Sequence, residues 1–414
     1  MAIQRPTRLP MEVEEQVEGD LGAKRMIVNF GPQHPATHGT LRSIIEIDGE
    51  VVTNMELEIG YLHTGFEKLA EFRSYNQGVT ISDRMNYLSP LCNNVGLSCA
   101  VEHMMGIEVT PRCAAIRIVM YELSRIADHI LGVGLQAMDL GAFSLMLWAF
   151  IEREKLYDIF ENVTGARLTT SYTRVGGLLR DVPDDFVEQV RAFLVTGYKT
   201  VHEMEDMLNG NRIFRDRTIG IHPFTAEQAI AWGLTGPMLR ACGVAYDIRK
   251  AKPYLGYDKL DFKVITSDTG DVWARYRVRV EEMYESFKII DQVLNDFPKG
   301  PISVTDPEII IPRKNAQNNP EGGMEGLIYH FKNYMHGHGV RPDAGEVYFA
   351  TEAPNGELGY YLVSDGTDHP WRWRVRPPSF YNYAAFPVMC KGGTISDVVS
   401  GLSSLNIIAG ELDR

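Results

Sequence analysis

Apolar residues near the start of the chain come in short runs of strand length. Lys24–Phe30 and Leu41–Asp48 are two such runs, Asp48-Gly49 marks a turn, and Val51–Ile59 resumes the pattern. Together they predict a hairpin-like β region. Between the first two runs stands GPQHPATHG, whose prolines and glycines exclude a regular helix and predict a fixed, shaped loop. From about residue 64 to 300 the repeat changes to helical spacing. Thr64–Gln77 is a short candidate, and Asn93–Met105 is apolar on much of its circumference. Thr110-Pro111 supplies an N-cap followed by proline at the first helical position. The run behind it, RCAAIRIVMYELSRIADHILGVG, predicts a helix that stops near Gly132 and Gly134. Gln136 to about Glu161 is the next helix, and Asp184–Leu208 is a long amphipathic one. Thr225 with Gln228 forms a capping box, and a run containing Gln292 ends at Pro298 and Gly300.

Short links between long helices imply antiparallel packing in a bundle. In the last quarter, Glu346–Thr351 and Leu358–Val363 flank Pro354-Asn355-Gly356, a hairpin signal. Trp371–Arg376 alternates as a strand, and Thr394 caps a terminal apolar helix. The chain therefore divides into an acidic arm (1–23), an N-terminal β region (24–63), a helical bundle body (64–300), and a C-terminal β region with a terminal helix (301–414). This is an α+β order, a central helical bundle flanked by N- and C-terminal β regions that are expected to share a sheet.

Composition narrows the function classes. The chain has 414 residues, 44% hydrophobic and 23% charged, with a net charge of -13, which is globular and excludes the dense basic stripe a nucleic-acid partner requires. The local run Arg372, Arg374, Arg376 remains a candidate protein-docking surface. Cys92, Cys99, Cys113, Cys242 and Cys390 form no CxxC pair, so neither an iron–sulfur cluster nor a zinc site is indicated, and a reducing compartment fits. The opening MAIQRPTRLPMEVEEQVEGD lacks the apolar segment of a secretory signal. Ile130–Phe150 has the length of a membrane span, but Asp139 stands near its middle and the flanks carry both signs. A buried core helix is the reading, in which Asp139 needs a partner or a wet cavity. There is no GxGxxG after a strand and no GxxxxGK[ST], so no dinucleotide or nucleotide-triphosphate site is indicated.

Three segments carry candidate chemistry. His34 and His38 lie in the GPQHPATHG loop, where the prolines remove the helix on which two histidines four apart hold a metal. Imidazole there either hydrogen-bonds and protonates a ligand oxygen at neutral pH or only braces the loop. SDRMNYLSPLCNN places Asp83, Arg84 and Tyr87 before an apolar helix. Tyr87 is a donor with an apolar ring for a channel, and Arg84 a fixed positive charge able to raise the potential of a nearby redox centre. The plainer alternative is a tyrosine packed under a loop beside a surface ion pair. Tyr121, Arg125 and His129, spaced by four, share one helical face, either as a buried network or as a solvated stripe with His129 half buried. A histidine paired with Asp139 would have its pKa raised.

At these residues the sequence resembles the 49-kDa subunit family of respiratory complex I. The strings that carry the likeness are NFGPQHPATHGTLR (29–42), IGYLHTGFEKLAE (59–71), DRMNYLSP (83–90), ELSRIADHILGVG (122–134), RVGGLLRDVP (174–183), GPMLRACGV (236–244), GELGYYLVSDG (356–366) and RVRPPSF (374–380). That family is related to the large subunit of nickel–iron hydrogenases, whose metal is held by two CxxC pairs. Those positions fall here at Asn86 and Ser89, and at Ile408 and Glu411. All four thiolates are replaced, so soft-metal binding of that kind is lost. The resemblance implies a nickel–iron hydrogenase large-subunit-like fold and a role as quinone-site subunit of a proton-pumping NADH:quinone oxidoreductase. It implies that His38 and Tyr87 hydrogen-bond the quinone head group and that Asp139 pairs with His38 and takes part in coupling. His34 then shapes the loop, while Arg84 and His129 neighbour a terminal [4Fe–4S] cluster held by an adjacent subunit. Quinone is the substrate, and no cofactor or metal is held by this chain alone. The implied partners are cluster-bearing and other hydrophilic complex I subunits and membrane-arm subunits near the quinone channel. The implied location is the cytoplasmic side of a cell inner membrane, as a peripheral protein.

Overall fold

Alternating burial makes the first sheet. In the computed structural model, which describes residues 25–306, 309–310, 324–335 and 337–414, strands β1 (Arg25–Phe30), β2 (Arg42–Asp48) and β3 (Val51–Glu58) pair antiparallel in that order. The acidic arm expected over residues 1–23 lies outside the described residues. Along β2, Ser43, Ile45 and Ile47 point inward while Glu46 and Asp48 face solvent, the period-two pattern of a half-buried strand. Thr173–Arg174 (β4) and Gly177–Leu178 (β5) form a small ribbon, and β6 (Gly345–Ala353), β7 (Gly356–Ser364) and β8 (Pro370–Arg376) form a second three-stranded antiparallel sheet.

The two larger sheets do not join, contrary to the expectation of a shared sheet. Each has its apolar face covered by different helices. Ile45, Ile47 and Val52 pack with Phe386, Val398 and Leu402, whereas Leu358, Tyr360 and Trp373 pack with Val79, Leu97 and Val101. The N-terminal sheet instead meets the segment before the terminal helices. Val52 and Gly392 or Gly393 exchange backbone hydrogen bonds of 2.9 Å, closing the β3 edge.

The helices between the sheets follow the predicted period with three changes, one being that the helix expected from Gln136 to about Glu161 begins only at Phe143. Thr64–Gln77 is not one helix but spans the whole of Phe66–Glu71 and the start of Tyr75–Met85, because Ser74 and Gln77 build a capping box that begins a new helix. The Thr110-capped helix does not stop at Gly132 or Gly134 but runs from Pro111 to Asp139. Inside a packed bundle those glycines serve close approach. A Cβ on Gly132 would stand 3.2 Å from the Asn406 side chain, and one on Gly134 3.3 Å from Ala149. Tertiary packing thus offsets a propensity cost of roughly 1 kcal/mol per glycine.

Asp139 is consequently the last residue of the central helix, not the middle of a span. Phe143–Thr164 folds back alongside, and Phe186–Asn209 and Val272–Asn295 complete the bundle. Ile116, Leu123, Ile130, Leu156, Val190, Tyr276 and Ile290 sit in its core. The structure is thus a mixed helix-and-sheet fold. Among the described residues no helix is long and apolar enough to cross a membrane. After Ile395–Leu405, opened by a capping box of Thr394 and Asp397, Asn406 turns left-handed and the short helix Ala409–Asp413 follows.

Candidate functional site

The loop after β1 is rigid for local reasons. Gly31 has φ +87, and a Cβ there would meet the Leu41 carbonyl oxygen at 2.1 Å, so only glycine lets the chain pass. Pro35–Thr37 makes one 3-10 turn. His34 caps it by accepting the Ala36 N–H at Nδ1 (3.2 Å), and its ring lies on Phe30 with centroids 4.4 Å apart. The Thr37 hydroxyl donates to the carbonyls of Pro32 and His34. His34 is therefore a loop-shaping residue by geometry. His38 ends the turn at φ 52, a left-handed conformation uncommon for histidine, held by the turn behind it.

That turn aims His38 at a cavity of about 20 Å³ lined also by Asp139, Leu135, Gly132, Leu402 and Asn406. His38 and Asp139 therefore share one small space, but among the described residues they form no ion pair. The expected raised imidazole pKa is not found. Burial of its inner side lowers that of His38 although the residue as a whole is exposed, and burial alone pushes the Asp139 carboxyl up to about 6. Asp139 Oδ2 is buried without a hydrogen-bond partner among the described residues. Neutral forms of both groups are favoured because neither is close enough to compensate the other.

A raised folded pKa means stability that is present below the unfolded value and lost as pH rises through about 6. Asp139→Asn should therefore match the native chain near pH 4 and exceed it near pH 8 by roughly 1–3 kcal/mol, at about 1.4 kcal/mol per pKa unit. Urea midpoints of the full chain at the two pH values measure this. Equal midpoints at pH 8 would show a solvated carboxylate and sink the assignment.

Tyr87 follows the end of Tyr75–Met85, in a turn built by Asn86. The Asn86 side-chain oxygen accepts the N–H groups of Leu88 (3.1 Å) and Ser89 (3.2 Å). The ring is half-buried. Its pKa is raised by burial first, then by the charges of Glu411 and Asp128. Asp128 was not singled out from the sequence, yet it is fully buried and central. Its oxygens accept from Asn406 (2.7 Å), Ser89 (3.1 Å) and Asn86 (3.5 Å). Asn406 in turn lines the His38–Asp139 cavity. A polar bridge thus runs from that cavity through Asn406 and Asp128 to the surroundings of Tyr87. The visible signal was the carboxylate next to His129 on a face already marked by Tyr121 and Arg125.

The Tyr121, Arg125, His129 face is a buried network, not a solvated stripe. All three side chains are fully buried. His129 Nε2 lies 3.3 Å from Glu282 Oε2 without hydrogen-bond alignment, and burial lowers its pKa despite that carboxylate. Arg125 donates to Glu282 (3.0 Å) and to the Glu352 carbonyl (2.8 Å). Arg84 is exposed and donates to the Thr80 carbonyl at 2.7 Å. In the basic run, Arg376 is taken up internally by Thr235, Glu357 and Gly233, and Arg372 by Glu71. A wider groove of about 1040 Å³, walled by His103, Tyr254 and Phe349, contains none of the six sequence-predicted site residues.

Comparison with known proteins adds the following. The family described as respiratory-chain NADH dehydrogenase, 49 Kd subunit, matches residues 139–414. The D-type NADH-quinone oxidoreductase subunit of Methylacidiphilum infernorum (isolate V4) is 48% identical, over 97% of this chain and 94% of that protein. Its counterpart in Geotalea uraniireducens (strain Rf4) is 47% identical, over 94% of this chain and 98% of that protein. The C/D-type NADH-quinone oxidoreductase subunit of Bdellovibrio bacteriovorus is 48% identical, over 95% of this chain and 70% of that protein.

Proposed function

The chain belongs to the family of the 49 kDa subunit of respiratory-chain NADH dehydrogenase, and from that membership we propose that it is the quinone-site subunit of a proton-pumping NADH:quinone oxidoreductase. It is an enzyme as part of that complex, in keeping with its relatives' names. One observation carries the site: Asn406 lines the cavity of His38 and Asp139 and donates to Asp128, whose charge acts on Tyr87.

The residues then have distinct tasks. A cavity of about 20 Å³ holds little more than one water, so the quinone ring lies at its mouth, with further walls from partner subunits. Tyr87, kept protonated by its raised pKa, donates to one carbonyl oxygen, and the neutral ring of His38 donates an N–H to the other. As two electrons enter the ring, both oxygens become basic: Tyr87 passes its phenol proton to one, while the His38 N–H stabilises the other, which takes its proton from solvent. Asp139, titrating near 6 on the same cavity, changes charge as protons move, and that change is the local event passed toward the membrane.

A partner subunit's [4Fe–4S] cluster supplies the electrons. Exposed Arg84 suits a place against that partner, and His129, fully buried, acts on the cluster only through its field. The exposed apolar face Phe143, Leu147, Trp148, Ile151, directly after Asp139, suits a membrane-arm subunit near the quinone channel. That would hold the protein peripherally on the cytoplasmic side of a cell inner membrane. A hydrogenase large-subunit-like fold is supported by convergence at the lost thiolate positions. Asn86 and Ser89 meet on Asp128, Ile408 and Glu411 meet on Ser379, and Gly410 brings the two pairs together by packing on the Met85 carbonyl.

The test is a photoreactive quinone analogue on the assembled complex. Labelling is expected in peptides containing His38 or Tyr87. Labelling confined to other peptides, such as those of the His103–Tyr254 groove, overturns the proposal.

A further inference from the structure

The short C-terminal helix carries a carboxyl group that the quinone-site reading does not use. Ala409–Asp413 presses on the end of Tyr75–Met85 so closely that a Cβ on Gly410 would stand 2.6 Å from the carbonyl oxygens of Arg84 and Met85. This puts Glu411 beneath the Asn86–Tyr87 turn, 1% exposed. Ser379 donates to its Oε1 through both N–H and hydroxyl, while Oε2 is buried with no hydrogen-bond partner among the described residues.

The charged and titratable groups around it give no neutralising partner. On the central helix the nearest charge is Asp128, which takes the donors Asn406, Ser89 and Asn86. On Tyr75–Met85, Asp83 is bound by Ser171 and Asn94, and Arg84 turns outward to the Thr80 carbonyl. On Pro378–Ala384, Tyr383 lies within hydrogen-bond distance of the Ser43 hydroxyl, and on β7 Tyr360 donates to the Asn93 carbonyl. On its own helix, Asp413 accepts the N–H groups of Gly60 and Leu62, and the Arg414 guanidinium lies 4.4 Å from the Phe380 ring. Two carboxyl groups thus share one buried region and the Asn86 amide between them, and only Asp128 has a close donor on each oxygen. The proton belongs on Glu411.

We propose that Glu411 stores the proton that replaces the one Tyr87 delivers to the reduced quinone. The inference rests on the quinone-site reading. In the step, the Tyr87 O–H bond breaks as the quinol O–H forms. The Glu411 Oε2–H bond then breaks as the Tyr87 O–H is restored, and between turnovers the buried carboxylate regains a proton from solvent through the hydroxyl of half-buried Tyr87. The two electrons come from the partner subunit's cluster. The Tyr87 hydroxyl makes no side-chain hydrogen bond among the described residues and is open to receive this proton. Burial first, and Asp128 after it, raise the Glu411 pKa to about 8, so the acid form is present at neutral pH.

The experiment uses the assembled complex carrying Glu411→Gln, which keeps the size and the acceptor for Ser379. Expected are normal reduction of the clusters by NADH, a kcat for quinone reduction about ten-fold lower or less, and loss of the alkaline limb near pH 8. A second variant, Ser379→Ala, removes the hydroxyl donor that favours the carboxylate while leaving the backbone N–H, and should move the alkaline limb to higher pH. An unchanged kcat and limb in Glu411→Gln, or an unmoved limb in Ser379→Ala, overturns the proposal. Tyr87→Phe separates the two levels. If it abolishes turnover while Glu411→Gln leaves both kcat and the alkaline limb unchanged, only the proton store fails, and if neither variant changes turnover, the quinone-site reading fails with it.

Discussion

An Arg240→Ala chain is expected to lose about 3–5 kcal/mol of stability, the penalty for stranding buried charge. The Arg240 guanidinium is 0% exposed and reaches Glu282 Oε1 (2.8 Å), Glu352 Oε1 (2.7 Å) and the Tyr246 carbonyl (3.0 Å). Around it, Arg125 shares Glu282, and Arg249 joins Asp247 (2.7 Å) to Glu122 (3.0 Å), which also accepts from Tyr257 and Ser286. Removing Arg240 leaves Glu282 without the largest of the charges that hold its pKa down against burial.

The pH dependence has a definite sign. In the native chain Glu282 has a depressed pKa, so its contribution is present above the unfolded value and lost as pH falls through the folded one. In the variant the stranded carboxyls have raised pKa values and recover when protonated. The gap between native and variant chains should therefore be widest near neutral pH and narrow on acidification. Urea titrations of both full chains across this range measure it. A gap that is small at neutral pH would mean the network contributes little to stability.

This network explains why the sequence revealed some parts of the molecule and not others. Local signals were sound where the physics is local. The Thr225 and Thr394 caps, the turn at Asp48-Gly49 and the Pro354-Asn355-Gly356 hairpin all depend on a few adjacent residues, and each starts or ends an element where expected. Apart from the Ser74–Gln77 capping box, a local signal that was missed, the errors lie where distant residues decide. Gly132 and Gly134 read as a helix stop, but Asn406 and Ala149 pack on them and the helix continues. The two β regions read as one sheet, but separate helices cover each.

The site shows the same division. His38 and Asp139 are 101 positions apart along the chain, and the cavity joins them through the left-handed turn at one end and the end of a helix at the other. The apolar run around Asp139 marked it as needing a partner, but only family likeness paired it with His38. Asp128 and Glu411 escaped notice as chemical groups because their importance comes from what surrounds them: three donors on one, an unpartnered oxygen on the other. A carboxylate standing at a lost thiolate position was the one clue to Glu411.

The largest functional effect is expected from Tyr87→Phe, with quinone reduction by the assembled complex falling by roughly 10²–10⁴-fold, the usual contribution of a positioned proton donor. The phenylalanine keeps the half-buried ring and removes only the hydroxyl. Since that hydroxyl bonds to no side chain among the described residues, its loss orphans no internal partner, and folding and assembly should be preserved. NADH should still reduce the clusters at the native rate, because the substitution lies beyond them in the electron path. The deficit should fall on kcat more than on KM if the hydroxyl acts chiefly as the oxygens become basic, since an interaction made in the transition state lowers kcat when lost. A matching rise in KM with native kcat would instead make Tyr87 a simple binding contact. Because burial and the charges of Glu411 and Asp128 raise its pKa, Tyr87 stays a donor through the neutral range, and the deficit should persist at every pH below the alkaline limb. Stopped-flow reduction of the clusters alongside steady-state quinone turnover separates these outcomes. Native turnover with native KM in a fully assembled Tyr87→Phe complex would remove the phenol from the reaction.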